Sequence, residues 1–204
     1  GLHGANRLGG NSLAEILIFG KRAGEFASKR SQDMNEHIRS KAVINDAHDN
    51  INSSIKNGSE VARPLQRDLR NIMWEYGGVV KNESKLQTGL SKIKELKDAS
   101  KNLDVRPDSE GFQDLMLAFD LEASLVSSEA TLLSALNREE SRGAHQRDDF
   151  KDISENENVN IRIELEENNE LKLSKHDIPK LSKELQKLIN KTKNIEDIEG
   201  MLLE

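Results

Sequence analysis

The residues best suited to chemistry stand at the very start of the chain, in the run Gly1-Leu2-His3-Gly4-Ala5-Asn6-Arg7-Leu8-Gly9-Gly10-Asn11-Ser12. Arg7 offers a planar guanidinium whose fork binds a carboxylate through two parallel charge-assisted hydrogen bonds. Gly4, Gly9 and Gly10 let backbone approach a ligand closely and permit positive φ. A helix start at Asn11–Ser12 adds free N–H groups and a partial positive charge. Together these features suit a dianionic substrate held beside an electron-rich ring. On spacing alone, an Arg in a helix-capping loop paired to a structural carboxylate is also an open reading.

Composition narrows the classes of chemistry. The 204 residues hold 36 acidic and 30 basic side chains, a formal charge of -6. Phosphate polymers are gripped by a surplus of Lys and Arg, so nucleic acid is not the expected partner. The absence of cysteine excludes disulfides, thiolate nucleophiles and Cys-held zinc or iron–sulfur clusters within this sequence. His37, His48 and His176 stand apart with no second ligand at metal spacing, so no metal site is expected. No apolar run reaches the ~18 residues of a membrane span. Hydrophobic residues make up 35% and aromatics 3% of the chain, a thin core for this length. The glycine-dense opening and thin core lead us to expect the C-terminal piece of a longer protein.

The elements that must position these residues are helical for three quarters of the length. Ser12-Leu13-Ala14-Glu15 fits a capping box, starting a helix to about Arg30. Gly20, Ala23 and Gly24 on it predict close packing against another backbone. A polar, weakly amphipathic helix is expected between Gln32 and Asn57, followed by a break at Asn57-Gly58-Ser59. Pro64 suits the first turn of a helix over 64–76, with Leu65, Leu69, Ile72, Met73 and Tyr76 as its apolar stripe and Trp74 expected to pack. A helix over 83–102 and a third over 112–139 complete an antiparallel three-helix bundle. The third has one stripe of Phe112, Met116, Phe119, Ala123, Val126, Ala130 and Leu133, and a second of Leu121, Leu125 and Leu132, predicting contacts on two sides. Beyond a polar linker at 154–158, Val159, Ile161, Ile163 and Leu165 alternate with polar residues, as do Leu171 and Leu173 across an Asn168-Asn169 turn. A hairpin is expected there, then a Lys/Glu-rich helix carrying Leu181, Leu185, Leu188 and Ile189, then a helical end from Ile195 to Leu203.

Two motifs carry a resemblance. His3-Gly4-Ala5-Asn6-Arg7-Leu8-Gly9-Gly10-Asn11-Ser12-Leu13 closely resembles the segment near the end of the flavin domain in flavoprotein subunits of succinate dehydrogenase and fumarate reductase. Glu139-Glu140-Ser141-Arg142-Gly143-Ala144-His145-Gln146-Arg147-Asp148-Asp149-Phe150 is similar to the segment that follows that family's third C-terminal helix. The run Leu69 to Val80 and the helix Glu83 to Leu96 agree with it in order. Residues 1–150 are thereby covered.

The residue patterns, with the resemblance over 1–150, predict a mainly α chain in four parts, the last of which, 151–204, departs from the family ends. Residues 1–31 would end an FAD-binding α/β domain, 32–60 form a polar helical linker, 61–150 the three-helix bundle, and 151–204 a hairpin-and-helix extension of open purpose. The resemblance implies that Arg7 binds a substrate carboxylate, that Gly10, Asn11, Ser12 and Leu13 flank FAD, and that His3 is a possible further contact. By residue type Arg142, His145 and Arg147 could form an anion site; the favoured reading is that they anchor the post-bundle segment on the flavin domain through carboxylates and carbonyls. The whole protein would interconvert succinate and fumarate and pass electrons through FAD to an iron–sulfur subunit with a membrane anchor, at the cytoplasmic face of a bacterial membrane. The family's proton-transferring Arg and its dinucleotide cradle have no counterpart here, so the chain alone is expected to be inactive. L-aspartate oxidase, with a similar loop, and a non-catalytic helical interaction protein are the alternatives.

Overall fold

A computed structural model describes residues 10–34, 40–107 and 112–191. The elements are α1 (Asn11–Gln32), α2 (Lys41–Ser54), α3 (Ala62–Tyr76), β1 (Val80–Lys81), α4 (Glu83–Ser100), α5 (Gln113–Asn137), β2 (Gln146–Arg147), a 3-10 turn (Glu155–Glu157), β3 (Val159–Leu165), β4 (Leu171–Asp177) and α6 (Lys183–Lys191). The chain divides between Glu157 and Asn158 into two compact units.

The core of the first unit lies where α3, α4 and α5 meet. Leu65 and Leu69 of α3, Leu86 and Ile93 of α4, and Leu121, Leu125, Leu132 and Ala135 of α5 are all buried, with Leu103 and Val105 closing one end. Each buried Leu or Ile removes enough apolar surface from water to contribute roughly 1.5–3 kcal/mol. Glu60 bridges Leu103 while β1 pairs in parallel with β2, so the bundle is stapled at both ends and α4 runs antiparallel to its two neighbours. Gly89 lets them close up, since a Cβ there would lie 2.8 Å from both Leu132 and Tyr76 side-chain carbons. At the other end the approach is tighter still. A Cβ on Gly58 would stand 2.0 Å from the carbonyl oxygen of Asn102, where the Glu60 N–H donates to that same oxygen at 3.0 Å.

Three expectations need correction, and a fourth finds no partner among the described residues. Ser12 does not cap α1: Gly10 is the N-cap, at φ 80, and its carbonyl accepts from the Leu13 and Ala14 N–H groups. The left-handed glycine starts the helix two residues early and places Ser12 inside the first turn, where its hydroxyl no longer has capping geometry. The close packing expected at Gly20 and Gly24 has no partner among the described residues, and no residue of α1 is buried. Trp74 does not pack; it is 87% exposed. On α5 the stripe of Leu121, Leu125 and Leu132 faces the bundle, whereas Phe112, Met116 and Phe119 are exposed, because α3 and α4 both meet the other side.

The second unit is an antiparallel hairpin with Ile163 opposite Leu173 and Leu165 opposite Leu171, followed by α6. Asn169 takes φ 61 in its turn, a conformation asparagine tolerates. The helical end expected at 195–203 lies outside the described residues, as do 35–39 of the expected polar helix.

Candidate functional site

At the amino end, Arg7 and His3 lie outside the described residues. Of the flavin-flanking set, Gly10, Asn11, Ser12 and Leu13 form the start of α1, and Leu13 is 65% exposed. A helix of 22 residues directs its partial positive charge and its unbonded first N–H groups outward here. The glycine at φ 80 turns the chain into that helix, and among the described residues nothing stands within 4 Å of where its Cβ would be.

The other candidates, Arg142, His145 and Arg147, come together at the carboxyl end of α5. A helix terminus there leaves carbonyls without intrahelical donors, and Arg147 supplies them. Its Nη1 donates to the carbonyls of Ala135, Leu136 and Arg138 at 3.0, 3.2 and 3.4 Å. Its Nε and Nη2 donate to Oδ1 and Oδ2 of Asp149, each at 2.7 Å, and its guanidinium lies 4.8 Å from the centroid of the Phe150 ring. The side chain is 1% exposed. Asp149 in turn caps α4, with Oδ2 accepting from the Glu83 N–H at 2.8 Å. One buried guanidinium thereby ties the end of α5 to the start of α4.

Glu140 is the second hub, and it is fully buried. Arg142 grips it with two hydrogen bonds of 2.8 and 3.0 Å, Arg138 adds one of 2.7 Å, and the Ser154 N–H another of 3.0 Å. Burial would push its carboxyl up, but the bonds from Arg142, Ser154 and Arg138 outweigh burial and bring it down to about 2. The Arg147 bonds likewise lower Asp149 to about 2 against a smaller effect of burial. His145 lies beside the Arg138 carbonyl, its Nε2 at 3.1 Å. Burial lowers its pKa, the carbonyl opposes, and the nearby Lys81, Arg147 and Arg138 charges lower it further, so it is neutral at pH 7. Ser141 finishes the turn by donating from Oγ to the Phe150 carbonyl at 2.8 Å and accepting the Arg147 N–H at 2.8 Å.

These guanidinium groups bind carboxylates and carbonyls of this same chain, and the body they hold is the end of the bundle. Sequence reasoning missed four contributors. Glu140 lay between Arg138 and Arg142, an alternation of charge two residues apart that signals a local ion-pair turn. Asp149 was two residues from Arg147 in the same way. Lys81, buried with its Nζ donating to the Val79 carbonyl at 3.0 Å, had no signal beyond its apolar neighbours. Burial and the Arg147 charge lower its pKa. Arg138 falls within the helix expected over 112–139 and carries no further signal. A recess of about 470 Å³ beside this clasp is lined by Asn82, Glu83, Ser84, Gln87, Asp148 and Asp149, of which Asn82 and Asp149 already cap α4.

Comparison with known proteins agrees with this architecture. The family described as fumarate reductase flavoprotein C-term matches residues 66–192. The chain is 39% identical over 152 residues to one polypeptide of the fumarate reductase (CoM/CoB) of Methanothermobacter marburgensis, a match covering 74% of this chain and 27% of that protein. It is 38% identical over 165 residues to the fumarate reductase flavoprotein subunit of Proteus vulgaris, covering 79% of this chain and 27% of the relative. In three dimensions it is similar to the solved quinol fumarate reductase of E. coli, with a TM-score of 0.80 and 29% identity over 89% of this chain and 33% of that one. The chain thus spans about a quarter to a third of the length of the proteins it matches. With the bundle from Gln66 onward, the clasp after α5 and the hairpin inside the matched region, which carries the likeness past residue 150 to 192, this chain belongs to the fumarate reductase flavoprotein C-terminal family.

Proposed function

We propose that this chain is the C-terminal portion of an FAD-dependent flavoprotein subunit that interconverts succinate and fumarate. Arg7 holds one carboxylate of the four-carbon diacid, with His3 as a secondary contact, and Gly10 to Leu13 lie against the flavin. The observation that carries the reading is the start of α1. It is an exposed helix N-terminus three residues after Arg7, with no side-chain cap among the described residues, on a helix none of whose own residues is buried. An anion near such a terminus gains roughly 0.3–1 kcal/mol, and about 2 where partly buried.

The residues present fit one edge of FAD. They offer backbone N–H groups and a helix terminus suited to the negative charge of a reduced flavin, but no Gly-x-Gly-x-x-Gly cradle for the dinucleotide occurs in the sequence. When bound, FAD supplies the two-electron exchange with the diacid. The chain's own contribution is to orient the substrate through the Arg7 fork and to polarise it. The clasp of Arg147, Glu140 and Arg142 keeps the bundle end rigid. Electrons leave for an iron–sulfur protein of a membrane-attached complex at the cytoplasmic face. No helix among the described residues is long and apolar enough to cross the membrane itself.

The test restores the preceding part of the flavoprotein and replaces Arg7→Gln. Succinate oxidation and fumarate reduction should fall at least a hundredfold, on the order of a lost charge-assisted bidentate contact that acts in the transition state. Undiminished turnover of both acids would end the assignment.

A further inference from the structure

The face of α3 turned away from the core is neither apolar nor a mixed solvated surface. Arg63, Arg67, Arg70 and Trp74 follow one another at spacings of four, three and four. At 100° per residue they fall within about 60° of one another, opposite Leu65, Leu69 and Ile72, and extend over roughly 16 Å. All four are exposed, Trp74 to 87%. Val79 and Val80, just past the end of the helix, are 73% and 52% exposed. Arg63 donates to Gln113 at 3.3 Å, whereas Arg67 and Arg70 have no ion-pair partner among the described residues. Asp68 and Glu75 are a single residue from Arg67 and Trp74, which turns them about 100° away from the line. An indole left in water on a helix, at the end of a row of guanidinium groups of which Arg67 and Arg70 have no ion-pair partner among the described residues, on a chain of net charge -6, is a combination that general solubility does not require.

We infer that this ridge is a docking surface for a separate, acidic protein chain. That partner presents carboxylates to Arg67 and Arg70 and an apolar socket to Trp74. Arg and Trp are the side chains most enriched among residues that carry binding energy at protein interfaces. Paired guanidinium forks select carboxylates, and their charge steers an acidic surface on approach. A nucleic acid or an anionic membrane is disfavoured, because one narrow basic line on an acidic molecule neutralises few phosphates. The ridge also differs from α1, whose exposed Leu13, Ile16, Leu17, Phe19 and Phe26 present an apolar surface of the kind buried in permanent contacts. A charged, aromatic-tipped ridge has the chemistry of an interface between chains that exist apart.

This inference stands on α3 and does not depend on the flavoprotein's catalytic reading, so an inactive enzyme and an empty ridge are separate failures. Trp74 is the single tryptophan of the chain, which makes its fluorescence a reporter placed on the ridge itself. The probe is a synthetic amphipathic helical peptide carrying Glu at positions spaced four and three apart and Leu one turn beyond. Titration with it should move the Trp74 emission to shorter wavelength and protect it from acrylamide. The paired substitution Arg67→Glu and Arg70→Glu should weaken binding by about tenfold or more, with helix content by circular dichroism unchanged. Unaltered emission, or equal binding by the charge-reversed variant, would overturn the proposal. So would tighter binding to an oligonucleotide or to phosphatidylglycerol vesicles, which would assign another class of partner. In the flavoprotein with its preceding portion restored, hydroxyl radicals should still oxidise Trp74, and the peptide should suppress that oxidation. Protection of Trp74 before any peptide is added would make the ridge an internal domain contact and overturn the proposal as well.

Discussion

Arg147 and Asp149 are joined through both carboxylate oxygens at 2.7 Å, and the same guanidinium closes the carbonyl end of α5 while the same carboxylate closes the N–H end of α4. Two helix termini, with opposite unsatisfied groups, are thus neutralised by one ion pair. The arrangement makes the pair indispensable in a way that a surface salt bridge is not.

Arg147→Gln removes the donor to three carbonyls and leaves Asp149 facing a neutral amide. Breaking one partner of a buried, hydrogen-bonded pair costs about 3–5 kcal/mol. The urea unfolding midpoint should drop accordingly, with little change in its slope. A shift below about 1 kcal/mol would show that water replaces the guanidinium without penalty.

Acid should loosen the clasp in two stages. Glu140 and Asp149 have folded pKa values lowered to about 2, beneath the ordinary carboxylate values of about 4. Their stabilisation is therefore complete above about pH 5 and is lost as pH falls towards 2, on the order of 2 kcal/mol for each. His145, whose folded pKa is lowered, binds its proton more readily when unfolded, so its share is complete above its ordinary value near 6.5 and declines as pH falls below it. Stability measured against pH should begin to fall near 6.5 in the unaltered chain and only in the carboxylate range in His145→Gln. Identical onset in both would remove His145 from the acid response.

Gly58→Ala forces a Cβ onto backbone oxygen of Asn102 and Leu103, 2.0 and 2.5 Å away, neither of which is a movable side-chain tip. The turn must open and give up the Glu60 hydrogen bonds to Asn102 and Asp104. A loss of about 1–3 kcal/mol is expected, together with faster amide exchange at Glu60 and Asp104. Unaltered exchange there would contradict the close approach.

Trp74→Ser removes the largest exposed side chain of α3 and should leave folding stability within about 0.5 kcal/mol, as for surface positions generally. Leu132→Ala, at a position with no exposure at all, should cost about 2–5 kcal/mol. Thermal unfolding of the two variants side by side tests which side of each helix forms the core. A Trp74 change as costly as the Leu132 change would place the indole in a packed environment.

Local rules written in residue order determined most of the elements. Pro64 in a first turn, Asn82 as an N-cap, the glycines after Tyr76 and the alternation of Val159 to Leu165 each act within a few residues of themselves, and α3, α4, α5 and the hairpin follow. Family membership was legible for the same reason, since the runs around Arg7 and Arg147 are contiguous. Tertiary structure decided what contiguity does not carry. Two apolar stripes on α5 were equivalent as patterns, and only the positions of α3 and α4 made Leu121, Leu125 and Leu132 the buried set. Trp74 reads as core by its type yet faces water, because a helix has one core side and Leu65, Leu69 and Ile72 define it. The partners of Arg147 are partly neighbours in sequence and partly carbonyls set by where α5 ends. A hydrogen bond to a helix terminus depends on where that terminus comes to rest in space, which no spacing of residue types specifies.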